Sequence, residues 1–173
     1  MRVQIETERL ILRNLTVADA DAVFRWGGDP EVNQYMIYPL YTRVEDVRTW
    51  IESLNPDDPD NYDFGFVRKD TSELIGQGGL VFHPERDFWV VGYNLRADQW
   101  GNGFTMEALN GIIAHIKKSR TIQAIEGTVA VDNHNSMRIM EKLGMTCIGN
   151  TTFEKLDGSK VFDAKLYRRE EQR

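Results

Sequence analysis

The chain has 173 residues, of which 41% are hydrophobic and 28% charged, with a formal net charge of −6. Those values suit a single soluble globular domain, residues 1–173, with a sizeable core. No apolar run reaches membrane-span length, Met1-Arg2-Val3-Gln4-Ile5-Glu6 has no apolar signal region, and the acidic balance argues against nonspecific nucleic-acid binding, so a cytoplasmic protein without membrane or nucleic-acid partners is expected.

Alternation predicts a first strand over 9–14. Thr16 is a suitable N-cap for a helix that buries Ala18, Ala22, Val23 and Trp26 and stops near Gly27-Gly28. Asp29-Pro30-Glu31 opens a short second helix to Tyr35, and a Tyr- and Pro-rich loop covers 36–42. A further helix spans 44–54, with Val47, Trp50, Ile51 and Leu54 on one face. Asp57-Asp58-Pro59-Asp60, followed by Asp63, reads as a solvated acidic turn rather than a patch that attracts a cation. Three strands follow, at 62–68, 74–82 and 88–95.

A helix over 104–118 ends in Lys117, Lys118 and Arg120, which suits its C-terminal dipole. A strand at 122–131 comes next, then a helix from Asn133 to Leu143 ended by Gly144, and strands at 146–153 and 160–167. The strand–helix–strand unit from Phe88 to Val131 requires a parallel pair within a mixed α+β sheet. Cys147, the single cysteine, excludes an internal disulfide, and its apolar strand-like setting predicts a packed, inert thiol. His83, His115 and His134 have no partner at ligand spacing, so no metal is expected.

The most informative segment is the turn at Trp100-Gly101-Asn102-Gly103, between an apolar strand and a new helix. Two glycines let the backbone approach a ligand, and the helix start presents unpaired N–H groups. Such a turn accepts phosphate without a basic side chain. A P-loop would need Lys-Ser/Thr after the last glycine, where Phe104 stands. A dinucleotide fingerprint would need a third glycine, where Met106 stands.

Gly92-Tyr93, then Trp100-Gly101-Asn102-Gly103-Phe104-Thr105 and Glu107-Ala108, resemble the GNAT N-acetyltransferases, in their ribosomal-protein (RimJ/RimL-like) branch. Thr7-Glu8-Arg9-Leu10-Ile11-Leu12-Arg13 resembles that branch's opening strand. Asn133-x-x-Ser136 with Glu141-Lys142-Leu143-Gly144-Met145 resembles its coenzyme A helix. The three matches stand in the family's order across nearly the whole chain. They imply a mostly antiparallel central sheet with a splayed parallel pair, helices on both faces, and transfer of acetyl from acetyl-CoA to an amine. The partners implied are acetyl-CoA and an amine acceptor, a protein N-terminus or a small molecule, in a monomer or homodimer.

The resemblance places Trp100, Gly101, Asn102, Gly103, Phe104 and Thr105 on the pyrophosphate, with Trp100 alternatively a core filler. It places Asn94, Leu95 and Arg96 along the pantetheine arm, and a backbone N–H near Leu95 on the oxyanion. Asn133 would touch the coenzyme while capping its helix. Ser136 would stand near the thioester sulfur, or serve only as a small packing residue. Two positions depart from the family: Met140 replaces a tyrosine acid, and Val90 a strand glutamate. Glu107 reads as an acid favourable at a helix start rather than a general base. Trp26, Met36, Tyr38, Tyr41 and Asp163 are the candidate acceptor residues, with Glu154 a weaker one. A non-catalytic acyl-CoA-binding or regulatory domain is the alternative function. A nucleotide-binding enzyme is opposed by the absent lysine and third glycine.

Overall fold

In the computed structural model, which describes residues 3–171, the chain builds one eight-stranded sheet in the order β1-β2-β3-β4-β5-β6-β8-β7. Met1 and Arg2, at the head of the stretch expected to lack a signal region, lie outside the described residues. The strands are β1 (Gln4–Glu6), β2 (Leu10–Arg13), β3 (Asn61–Arg68), β4 (Leu74–His83), β5 (Phe88–Leu95), β6 (Ala124–Ala130), β7 (Thr146–Glu154) and β8 (Val161–Glu170). Every pairing is antiparallel except β5 with β6, which are joined at Trp89↔Ile125 and Val90↔Glu126 alone. Beyond those two rungs the strands part.

Helices cover both faces. On one side lies α4 (Phe104–Lys117), whose Ala108, Leu109, Ile112 and Ile116 are fully buried. Their spacing of three and four residues puts them on one stripe, which packs against Leu12, Phe66, Leu80, Trp89 and Ile125 of the sheet. The short helix α5 (His134–Lys142) adds Met140 to that core. On the other side α1 (Ala20–Gly27) and α3 (Val44–Glu52) form a second cluster around Val23, Trp26, Val47 and Ile51. Between them, α2 (Pro30–Asn33) starts at Asp29, whose side chain accepts from the Glu31 N–H.

Several elements differ from the sequence reading. Strand β1 was not anticipated, because three residues offer too little alternation to register. The first helix begins three residues later than its cap implies. Val17–Asp19 form a 3₁₀ turn, because the Asp19 carboxylate folds back to the Thr16 N–H at 2.8 Å and pairs with Arg13 at 2.8 and 2.9 Å. That shift exposes Ala18 and buries Ala20. Burial works to raise the Asp19 pKa; the Arg13 and Thr16 hydrogen bonds outweigh it and hold it low.

Cys147 is exposed rather than packed, which corrects the expectation of an inert buried thiol. It lies on β7, an edge strand paired only with β8 and exposed on both faces, so an apolar-looking sequence there has no core to enter. The acidic turn is partly engaged: Asp60 pairs with Arg120 at 3.0 Å and ties the start of β3 to the end of α4. No helix among the described residues is long and apolar enough to cross a membrane.

Truncating Ile112, fully buried in the α4 stripe, is expected to cost about 2–5 kcal/mol as Ile112→Ala. Urea unfolding followed by circular dichroism measures it, and a loss below 1 kcal/mol would contradict the packing described.

Candidate functional site

The turn after β5 is built by its glycines. Gly101 and Gly103 have φ of +79° and +78°, left-handed values that other residues rarely adopt. A Cβ on Gly101 would meet nothing within 4 Å, so conformation rather than crowding requires glycine there. Gly103 is the N-cap of α4, and the first N–H groups of that helix face the turn. The Trp100 indole N–H donates to the Leu95 carbonyl at 2.8 Å. Trp100 is 39% exposed, so it is a clasp on the loop and not core filler. The Asn102 side chain turns back to the carbonyls of Gln99 and Trp100 at 3.2 and 3.3 Å.

A second clasp comes from the chain's first strands. The Glu107 carboxylate accepts from the Thr7 hydroxyl at 2.5 Å, the Arg9 N–H at 2.8 Å and the Arg9 guanidinium at 2.7 Å. The same guanidinium donates to the Asn102 carbonyl at 2.9 Å and lies 4.3 Å from the Phe104 ring centroid. Burial works to raise the Glu107 pKa; the bonds from Thr7 and Arg9 outweigh it and hold it below the usual range. The carboxylate therefore stays ionised and engaged, a poor general base, as its place at a helix start implied.

Where β5 and β6 separate, a cleft of about 790 Å³ opens. Trp100, Gly101, Gly103, Phe104 and Thr105 line one end, Asn94 and Leu95 one wall, and Asn133 and Ser136 the opposite wall. The Arg96 N–H donates to Ile75 on β4 at 2.8 Å. Antiparallel ladders alternate, so the N–H of Leu95 points to the other edge, into the gap. The Asn133 side chain accepts from the Ser136 N–H at 3.3 Å and caps α5. The left-handed turn, the helix start and the cleft's size fit the pyrophosphate and arm of a coenzyme A.

Tyr93, quoted in the sequence only as part of a motif, takes a definite place here. Its hydroxyl donates to the Ser136 hydroxyl oxygen at 2.8 Å. Burial pushes the Tyr93 pKa up to about 12, against the smaller opposing effect of that hydrogen bond. Met140, at the family's tyrosine position, is buried with its sulfur against Gly127. Arg96 does not line the cleft; it is buried beside Asp98 at 2.5 Å and Glu73 at 3.5 Å.

The aromatic loop meets the cleft from the α1–α3 side. Met36 lines both the large cleft and an adjoining recess of about 40 Å³, which Trp26, Tyr38, Tyr41, Gln77 and Asn94 also line. Trp26 is buried at 2% exposure, and Tyr38 is 47% exposed. This loop is fastened by Lys155, whose ammonium donates to the carbonyls of Met36 at 2.7 Å, Tyr38 at 3.1 Å and Asn33 at 3.3 Å. Nothing in the sequence pairs Lys155 with residues more than a hundred positions away. Asp163 is exposed, and alternation along β8 sets it opposite Phe162 and Ala164; it lines neither cavity. Glu154 is exposed at the end of β7. Among the described residues no cluster of His, Cys, Asp and Glu could hold a metal ion.

Residues 9–146 match the family model described as the acetyltransferase (GNAT) domain. The uncharacterized N-acetyltransferase p20 of Bacillus licheniformis is 31% identical over 165 residues, which cover 93% of this chain and 92% of p20. Among solved structures, the microcin C7 self-immunity acetyltransferase MccE, in complex with acetyl-CoA and AMP, superposes with a TM-score of 0.80 at 19% identity, covering 95% of this chain and 93% of that one. The ribosomal α-N-protein acetyltransferase RimL, in complex with coenzyme A, gives a TM-score of 0.80 at 20% identity, covering 97% of this chain and 98% of its own. At such identities the structural likeness speaks for the fold.

The clasp on Glu107 has a pH signature. A depressed carboxyl pKa contributes stability above the ordinary value, about 4.3, and loses it as pH falls through the folded value. Glu107→Gln is expected to cost about 1 kcal/mol at pH 7, after allowance for solvent screening. The gap between the two proteins should close on acidification, when wild type is also neutral there. Urea titrations at pH 7 and in acid test this; a pH-independent difference counts against it.

Proposed function

The chain belongs to the GNAT acetyltransferase family, and from that premise we propose that it carries acetyl to a primary amine by direct attack within a ternary complex. The activity itself, an acetyl-CoA-dependent acetyltransferase, comes with the family. Motifs at Gly92-Tyr93, Trp100 to Ala108 and Glu141 to Met145 support its placement in the RimJ/RimL-like branch. We read residues 1–173 as one catalytic unit working in the cytoplasm, as monomer or homodimer.

The observation that carries this reading is the cleft itself, with the glycine turn at one end and the Tyr93–Ser136 pair on its walls. Gly101, Gly103 and the start of α4 would hold the pyrophosphate. The β5 edge at Asn94 and Leu95 would pair with the pantetheine arm, with Asn133 across from it.

The acceptor must be neutral to attack. An α-amine, near pKa 7.7–8, needs little help at pH 7, and a lysine-like amine, near 10.4, needs more. The nitrogen lone pair adds to the acetyl carbonyl, and the Leu95 N–H stands where it can meet the oxyanion. The nitrogen, positively charged after attack, gives a proton to water, and the C–S bond breaks with its electron pair going to sulfur. A thiol pKa near 8.5 makes this leaving group a competent one. Ser136 would donate a hydrogen bond to that sulfur. Because Tyr93 already donates to the Ser136 oxygen, the serine's own proton is free to point elsewhere. Burial keeps Tyr93 protonated through neutral pH, and that proton is directed at the Ser136 oxygen, so Tyr93 positions the serine.

Acetyl-CoA turnover with a panel of amines tests the function. Thiol release that depends on an amine supports it; tight acetyl-CoA binding with no release under any amine would favour a non-catalytic acyl-CoA-binding domain. Ser136→Ala is expected to remove about 1–2 kcal/mol of transition-state stabilisation, roughly a 5- to 30-fold fall in kcat. Tyr93→Phe should give a smaller fall in the same direction. Neither should change acetyl-CoA affinity by calorimetry more than about twofold, since each acts mainly on the transition state. Tyr38→Ala and Tyr41→Ala should raise the acceptor KM; an unchanged KM removes the aromatic loop from the acceptor site.

A further inference from the structure

We propose that Gln77 is a specificity-determining residue that reads a neutral carboxamide on the acceptor, held in the recess beside the cleft; this rests on the acetyltransferase reading above. Gln77 lies within β4 and is only 7% exposed. Its cross-strand partner is Asn94 on β5. Both side chains line the recess of about 40 Å³, on the face of the sheet that α1 and α3 cover. The other walls are largely apolar, with Val23 and Trp26 from α1, Trp50 from α3 and Met36 from the loop.

A buried amide ordinarily has hydrogen-bond partners, because leaving it without them costs free energy. Among the described residues neither the Gln77 side chain nor that of Asn94 finds one. The Gln77 amide is not sealed off either. Among the described residues the Trp89 indole nitrogen is the one side-chain nitrogen or oxygen both enclosed and unpartnered. The free amide of Gln77 therefore opens on the recess, and its partner can only be a molecule that enters there.

Charge and size narrow what that molecule presents. None of the residues lining the recess is charged. An ammonium or carboxylate placed there would lose its hydration without gaining a counter-ion. An alkyl group would leave the Gln77 amide unpaired. A neutral carboxamide meets both limits, because it offers an N–H to the Gln77 carbonyl and a carbonyl to the Gln77 N–H. At roughly 10–15 Å³ for a water-sized group, the recess admits roughly three non-hydrogen atoms, the number in a carboxamide.

The recess also lies where such a group would fall. Asn94 and Met36 line both it and the cleft. Asn94 precedes Leu95, whose N–H is directed into the gap. An amine attacking there has its next few atoms at the mouth of the recess. Lys155 fixes the loop wall of that mouth through the carbonyls of Met36 and Tyr38, at 2.7 and 3.1 Å.

The test uses two amines of one shape, 3-aminopropanamide and its apolar isostere 3-methylbutylamine. Acetyl transfer is measured with wild type and Gln77→Leu, and each amine is compared with itself across the two proteins, so that the difference in amine basicity cancels. Gln77→Leu should lower kcat/KM for the amide at least tenfold, mainly through KM. It should leave 3-methylbutylamine unchanged or better used, hold acetyl-CoA affinity within twofold, and keep or raise Tm, since it removes an unpaired buried amide. Gln77→Met, unbranched like glutamine, should repeat the pattern and guards against a packing fault in the leucine variant. An equal loss for both amines, no loss for the amide, or a wild type that acetylates 3-methylbutylamine and not the amide overturns the proposal. If neither amine is acetylated, calorimetry with the protein–CoA complex decides. Amide binding that Gln77→Leu weakens at least tenfold leaves Gln77 as assigned and overturns the amine-acetylation reading; binding that it leaves unchanged, or no binding, overturns the proposal.

Discussion

Strands β5 and β6 are held in parallel at two rungs and then separate, and the working parts of the protein follow from that separation. A parallel pair needs a long crossover, which here is α4, and the crossover must begin at the end of β5. The glycine turn and the positive end of a 14-residue helix are thereby delivered to the mouth of the gap. The strand edge at Leu95 loses its neighbour, so a backbone N–H is left for a ligand instead of a ladder. Had β5 paired with β6 along its whole length, the same residues would form closed sheet with no cleft.

Keeping the gap open and ordered requires support from distant parts of the chain. The Thr7–Arg9 segment reaches the turn through Glu107 and the Asn102 carbonyl. Two short motifs about a hundred residues apart in sequence are therefore halves of one clasp. Trp100 adds a bond from within the loop to Leu95. The loop is thus preorganised by side chains that leave its cleft-facing backbone bare, which would lower the ordering cost of binding an anion there.

The two faces of the sheet divide the labour. The α4 side has a dense apolar core and the rigid donor end of the cleft. The α1–α3 side has polar and aromatic residues around small spaces, with a loop fastened by one lysine to backbone carbonyls. Under the proposed function the donor end is built largely from backbone geometry, whereas the acceptor end presents individual side chains such as Tyr38. That difference explains why a fold shared by many acetyltransferases leaves the acceptor to be decided locally.

The sequence by itself determined the order of the elements after β1, the Val47 and Ile51 face of α3, and the glycine turn, because these rest on short-range periodicity and on backbone dihedrals that glycine alone adopts readily. It also carried the family, through motifs whose spacing survives in one dimension. Only the tertiary structure decided that Cys147 is exposed, since burial depends on which strand ends a sheet. Only it placed Tyr93 on Ser136, Lys155 under the aromatic loop, and Asp63 in one row with Gly79 and Gly92. Each of these is a contact or register between residues from about thirteen to more than a hundred positions apart. Local sequence has no term for strand pairing across that distance; the free energy that selects it comes from packing the whole sheet between its helices.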